Sequence, residues 1–450
     1  MSTDASTHSV AHDMTVSVAG LRTAIFTTRN FVFLIAVLAM NYTLMRPSPV
    51  DLLFILSFLM TLFHIIISVR MEVARRAVIL ALLLATWALS YVVASLPHLS
   101  EPNVGFELLA KTFAIMIGLI GAFVSMTWNR RHFETFMKVY IVSCVVASIL
   151  GTIGFLLQND LLTWDGRAKG LIDDPNMYGS FLIPAMMFCA YFLFRPRRRT
   201  LLLIGAMAIV LLGIMLSFSR IAQVATVFCL IAYFVFQNRR RPERLWLMVG
   251  GFIAIGIVLV AIVGFAPSEF SEKFLDRLTI AKSYDVGETG RYTRYLLVLP
   301  MILQNPLGLG VLQLEKIFPE PIHNIWLSSF VNYGWVAGFT WITLVVSSVV
   351  VSVLNYRRTR DDLAIVLLVS LIGIVMCTSL HEGEHWRHLW LSFGLVWGFC
   401  TSNFGSGTKP AAANQQPGPK RCPARRVGAT TAARSGIGAR TPARARLRTP

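Results

Sequence analysis

The stretch LLLIGAMAIVLLGIMLSFSRIAQVATVFCLIAYFVFQ, residues 201–237, decides the fold class. It is one apolar run broken chiefly at Ser217-Phe218-Ser219-Arg220, and each half is about 17 residues or longer, enough to cross a hydrocarbon core as a helix. The break therefore reads as a tight turn between two spans. Arg220 then stands at or just inside a membrane boundary. An ionisable group at that depth is costly, so it either faces a cavity or a partner, or marks a helix end by snorkelling.

The same pattern extends along the chain. Apolar runs at 31–46, 50–68, 77–97, 108–128, 137–157, 177–194, 201–218, 221–237, 245–265, 325–354, 363–380 and 388–402 predict about twelve transmembrane helices. The run 325–354 is long enough to hold a short surface helix before its crossing. With 55% hydrophobic and 14% charged residues, and a mean hydropathy of +0.63, the chain is too apolar for a soluble domain. An all-α polytopic membrane protein follows. Cys144, Cys189, Cys229, Cys377 and Cys400 fall inside predicted spans, where they pack as apolar residues, and only Cys422 lies outside. The first thirty residues are polar and show no cleavable signal peptide.

Charge gives an orientation. Arg70, Arg75 and Arg76; Arg130 and Arg131; Arg195 and Arg197 to Arg199; Arg239 to Arg241 and Arg244; and Arg357, Arg358 and Arg360 all follow even-numbered spans. Cations are retained on the cytoplasmic side, so both termini are expected there and the long connection 266–323 is expected on the outer face. The net charge of +18 sits mainly in these loops and in an Ala/Arg/Pro/Gly-rich tail after Ser402. A disordered basic tail attracted weakly to anionic lipid accounts for it, and nucleic acid is not an expected partner. The expected organisation is a polar segment 1–29, a membrane domain 30–402 and the tail 403–450.

The outer connections concentrate the polar chemistry. Asp173-Asp174-Pro175-Asn176 reads as a helix start, with Asp174 as cap and Pro175 in the first helical position, while Asn176 is free to face a ligand. The interruption from Gly290 to Gly338 carries Arg291 and Arg294, three residues apart and so on one face of a helix. Paired guanidiniums suit phosphate and pyrophosphate oxygens; alternatively they are rim charges balanced by Asp285 and Glu288. Asn305-Pro306-Leu307-Gly308-Leu309-Gly310 follows, then His323-Asn324 directly before an apolar helix. A lone loop His is more often structural, but with cations on the same face His323 is the best general-base candidate.

A competing signal is His381-Glu382-Gly383-Glu384-His385, which matches the H-E-x-x-H zinc pattern. It sits in a short turn, contains a helix-weakening Gly and has no evident third ligand except His388. The blander reading is a polar turn lining an outer cavity. A transporter is the other class; it would show duplicated halves with broken helices, which are not seen. No Gly-x-x-x-x-Gly-Lys-Ser/Thr pattern and no nucleotide-sugar fingerprint occurs.

Taken in order, Gly170…Asp174-Pro175-Asn176, Ser219-Arg220, Gly290-Arg291-x-x-x-Tyr295, Asn305-Pro306-Leu-Gly308-x-Gly310, His323-Asn324 and Gly334-x-x-x-Gly338 resemble the O-antigen ligase and polymerase superfamily of bacterial inner-membrane proteins. The likeness covers roughly residues 30–402 and is most specific from 290 to 338. It implies a GT-C-like glycosyltransferase architecture and periplasmic-face transfer of a glycan from undecaprenyl pyrophosphate to the lipid A core or to another lipid-linked repeat unit. It also implies donor-binding cations at Arg220 and Arg291, with Arg294, Asn176 and Asn324 as further substrate-binding candidates, and a catalytic role for His323. No metal or other cofactor is expected, because the glycosyl pyrophosphate is already activated; direct displacement would invert the anomeric centre. Tyr295 stands where the family often has Trp. The 381–388 run resembles the exopolysaccharide-polymerization branch more than the lipopolysaccharide ligases.

Overall fold

The computed structural model describes residues 23–44, 48–67, 75–195, 200–239, 290–318 and 320–404, with single residues at 20, 243, 246 and 250. Most of the expected ninth span at 245–265, the connection up to 289 with Asp285 and Glu288, and the tail from 405 lie outside the described residues. The rest is helical. The elements are α1 (Thr23–Asn41, its last turn 3-10), α2 (Pro49–Ile67), α3 (Arg75–Ser95), α4 (Val104–Ser125), α5 (Arg130–Leu157), α6 (Pro175–Leu193), α7 (Thr200–Leu216), α8 (Arg220–Asn238), α9 (Arg291–Gln304), α10 (Ile325–Val331), α11 (Gly334–Thr359), α12 (Leu363–Thr378) and α13 (Arg387–Gly398). Eight described helices are long and apolar enough to cross a membrane, and α7 and α12 are shorter apolar helices. The chain is an all-α polytopic membrane protein.

The helices follow the expected runs, with instructive shifts. The first is helical already at Thr23, ahead of the expected 31, and ends at Asn41, because Ala24, Ile25 and Phe26 extend the apolar pattern backwards and Tyr42 is extended. The run 325–354 divides as expected into a short helix, α10, and a long one, α11. The described part of the membrane domain continues to Phe404, whose ring stacks on Phe399 at 4.2 Å.

Helix α6 lies at the centre, buried along nearly its whole length and packed by α5, α7, α8 and α12. Its start is set by Asp174, whose Oδ1 accepts the Asn176 and Met177 amides at 2.6 and 2.9 Å, with Pro175 in the first turn. Among the described residues α4 and α13 pack closely along their length. Gly118 and Gly121 face Gly394, and a Cβ at Gly394 would collide with the α4 backbone, so small residues set this approach as they do between membrane helices generally.

The one strand pair of the described residues is a hairpin between α5 and α6. Thr163–Trp164 pairs with Arg167–Ala168 around Asp165-Gly166, both with positive φ. Asp-Gly is suited to this two-residue turn. The hairpin fixes where Arg167 points.

Candidate active site

Three elements converge at the end of the bundle where α5 ends and α6 and α8 begin. Helix α9 presents Arg291 and Arg294 in its first turn, as the spacing predicts. The two arginines diverge in use. Arg294 is 2% exposed; its Nη1 donates to the Glu320 and Pro321 carbonyls at 2.6 and 3.0 Å, and its Nη2 to Glu320 Oε2 at 2.8 Å. It clamps the chain entering His323. Arg291 instead lies within the electrostatic field of His323 and of His381.

His323 is held on every side. Its φ is +51°, a left-handed conformation disfavoured for a residue with a side chain. Such backbone persists only where the surroundings over-determine it. Here the Tyr295 hydroxyl donates to the His323 carbonyl at 3.3 Å, and the Glu382 carboxylate accepts the His323 backbone N–H. Asn324 then caps α10, its Oδ1 accepting the Trp326 and Leu327 amides at 2.9 and 3.1 Å. The His323 ring lies edge-on to His381, with centroids 5.8 Å apart. Burial first, then the charges of Arg291 and Arg294, push the His323 imidazole down to about 4. His381 is lowered too, by burial and then by His323, Arg291 and Arg167. Both rings are thus neutral near pH 7.

The third cation is Arg167, supplied by the hairpin. Its Nη2 donates to Asn176 Oδ1 at 2.7 Å and its Nε to the Ser217 carbonyl at 2.8 Å. Asn176 accordingly positions Arg167. Arg220 opens α8 immediately after this turn, as the break in the apolar run predicts. Arg291, Arg294, His323 and Asn324 are brought together; Asn176 joins them through Arg167 and His381; Arg220 is linked to them through the 217–219 turn.

The glycine motif is structural. Gly308 and Gly334 both have positive φ, +86° and +85°, and a Cβ on Gly308 would sit 2.5 Å from Gly334 N. This contact lets Leu309 and Gly310 donate to the Val331 and Asn332 carbonyls at 2.8 and 2.9 Å, locking the loop to the α10–α11 junction.

The His381–His385 run is a turn rather than a helix, so its histidines do not stand one helical turn apart as the zinc pattern requires. His381 joins His323. Glu382, Glu384 and His385 line a separate polar cavity of about 230 Å³ with Lys111, Asn332 and Tyr333. Glu384 is 1% exposed and accepts the Ser328 hydroxyl at 2.6 Å, while Lys111 Nζ donates to the Tyr333 hydroxyl at 2.6 Å. Burial and the neighbouring Glu384 raise Glu382 well above the usual carboxylate range. His385 also borders an apolar cavity of about 230 Å³ between α2 and α4, which ends at the buried Arg387–Asp51 pair (2.6 Å).

The 381–385 turn lines a cavity as its blander reading expects, but Arg167 and the cavity's partners Lys111 and Asn332 were not singled out from sequence. The Asp165-Gly166 hairpin signal marks where Arg167 would be fixed, and Lys111, ionisable within an apolar run, is a second usable signal. Asn332 carries no such mark.

Residues 205–342 match the family model described as O-antigen ligase, less than a third of the chain but the part that holds Arg220, Arg291, Arg294, His323 and Asn324. The match is consistent with the O-antigen ligase and polymerase superfamily that the motifs resemble. No curated protein matches the chain.

Proposed function

We propose, from that match and this geometry, that the chain transfers a glycan from a lipid-linked pyrophosphate donor to an acceptor hydroxyl at the membrane surface. The carrying observation is the meeting of Arg291, Arg167 and His323, from three separate elements, at one end of the bundle. Guanidiniums there suit the donor pyrophosphate, whose charge grows as the bond from the anomeric carbon to the pyrophosphate oxygen breaks. Arg220, at the neighbouring turn, completes the cationic rim.

His323 accepts the proton of the attacking hydroxyl as the new bond from that oxygen to the anomeric carbon forms. One-step displacement inverts the anomeric centre. The donor is activated already, so the step calls for no metal. Arg294, Asn324 and Asn176 act by positioning: the first two fix the segment around His323 and the third aims Arg167. The setting that fits this chemistry is the periplasmic face of a bacterial inner membrane, with undecaprenyl pyrophosphate as carrier.

The acceptor is the lipid A core in a ligase reading and a second lipid-linked repeat unit in an exopolysaccharide-polymerase reading. Gene deletion separates them: loss of glycan-capped lipid A core supports the ligase, and loss of secreted polymer with normal lipopolysaccharide supports the polymerase. Complementation with His323→Ala tests the site. Full-length product from that variant overturns the assignment of His323.

A further inference from the structure

The polar cavity beside His323 has chemistry opposite to that of the arginine rim. Glu107, Glu315, Glu382 and Glu384 border it, against the single cation Lys111. The carboxylates among them disfavour a pyrophosphate, and the Lys111 ammonium, bonded to Tyr333, disfavours a divalent cation. A neutral, hydroxyl-rich molecule fits both, since its hydroxyls donate to carboxylate and amide oxygens and accept from the ammonium.

A second observation points to a ligand. Asn332 lines the cavity at 9% exposure; its Nδ2 donates to Ser328 Oγ at 3.3 Å, while its Oδ1 has no hydrogen-bond partner. An orphaned buried acceptor costs about 1–3 kcal/mol, which a donor hydroxyl from a ligand would recover. Its backbone is not at liberty to turn away, because its carbonyl receives the Gly310 amide at 2.9 Å.

We infer that this cavity is the acceptor-sugar subsite, where Asn332, Glu382 and Glu384 bind the hydroxyls of a neutral sugar residue and present one of them to His323. The assignment rests on the glycan-transfer reading above. Glu382 supplies the connection, because the carboxylate that borders the cavity also holds the His323 backbone N–H. His385 lines this cavity and the apolar one together, so an acceptor carrying a hydrocarbon chain finds an apolar cavity next to its sugar.

The test uses the full chain in lipid nanodiscs, with Asn332→Ala and the volume-preserving Glu382→Gln compared with Arg291→Ala. Saturation-transfer NMR reads binding of the neutral monosaccharides glucose, galactose and rhamnose. Transfer is read separately, with lipid-linked donor and glycolipid acceptor extracted from the deletion strain. The expected result is sugar saturation that is lost in Asn332→Ala and Glu382→Gln but kept in Arg291→Ala. Loss of one buried hydrogen bond raises KM for the acceptor about tenfold, while KM for the donor stays within about twofold. Unchanged sugar saturation in both cavity variants, or a rise in donor KM instead, overturns the proposal. Sugar binding with the expected variant pattern, but no transfer by the wild-type protein, sinks the transfer reading and leaves the sugar site standing.

Discussion

The arginine rim and the carboxylate cavity share a wall of five residues and differ in nearly every property. On the rim, Arg291 and Arg167 act on two uncharged imidazoles; in the cavity, carboxyl groups outnumber one ammonium. The pentapeptide His381–His385 is divided between them, His381 going to the rim and Glu382, Glu384 and His385 to the cavity. Adjacent residues in a turn are free to face different neighbours in a way that adjacent helical residues of one face are not. On the proposed reading the run is a partition between an anion site and a hydroxyl site, and its turn conformation does not set two histidines on one helical face as the metal motif requires.

If the partition is right, damage on each side has its own signature. His323→Ala removes the proton acceptor and lowers kcat by about 10³ to 10⁴, measured by single-turnover transfer, with donor binding retained. Intact kcat with a raised donor KM would move His323 into the rim's binding role. Arg291→Ala lowers kcat/KM for the donor by about 10² to 10³, and Arg291→Lys recovers only part, because an ammonium lacks the guanidinium fork. A variant Lys as active as Arg would show that charge alone suffices.

Arg294→Ala comes next, since it frees the 320–323 segment: kcat falls about 10² by misplacing the base, and thermal unfolding shows a loss of about 1–3 kcal/mol. A loss in donor affinity alone would return Arg294 to the rim. Asn176→Ala weakens only the aim of Arg167, so a drop of about fivefold is expected in kcat/KM for the donor, with acceptor KM steady. The smallest effect is in pH. His323 is neutral above about 4, so kcat/KM holds level through the neutral range and falls only as acid protonates the base; Arg291→Gln removes a depressing charge and moves that acid limb upward. An acid limb at the ordinary imidazole position in the wild type would contradict this burial.

Much of this was legible from the chain alone. Apolar run length placed α2 to α4, α6 to α8 and α10 to α13 within a few residues and α5 except for its first two turns, because span length is fixed by the membrane rather than by packing. Local rules caught Asp174 as a cap, Arg220 at a helix start, and Arg291 with Arg294 on one turn. Spacing could not separate those two arginines, since their difference lies in Glu320 and Pro321, residues 26 and 27 positions away. That the 381–385 turn borders a cavity was legible, but its partners were not: Lys111, Asn332 and Glu382 meet only after α4, the α10–α11 junction and the α12–α13 turn pack together.

The cations beside His323 have a consequence for timing. Burial is the larger cause of its lowered basicity; the cations add to it, and a pyrophosphate entering among them would offset their share and let the imidazole take a proton more readily. On the proposed reading, His323 would be a weaker base in the empty site than in the loaded one. Kinetically this would appear as an acid limb for kcat lying at higher pH than the limb for kcat/KM, the first reporting the loaded protein and the second the unloaded one. An arrangement of this kind would be an interlock, tying the strength of the base to the presence of the charge it serves.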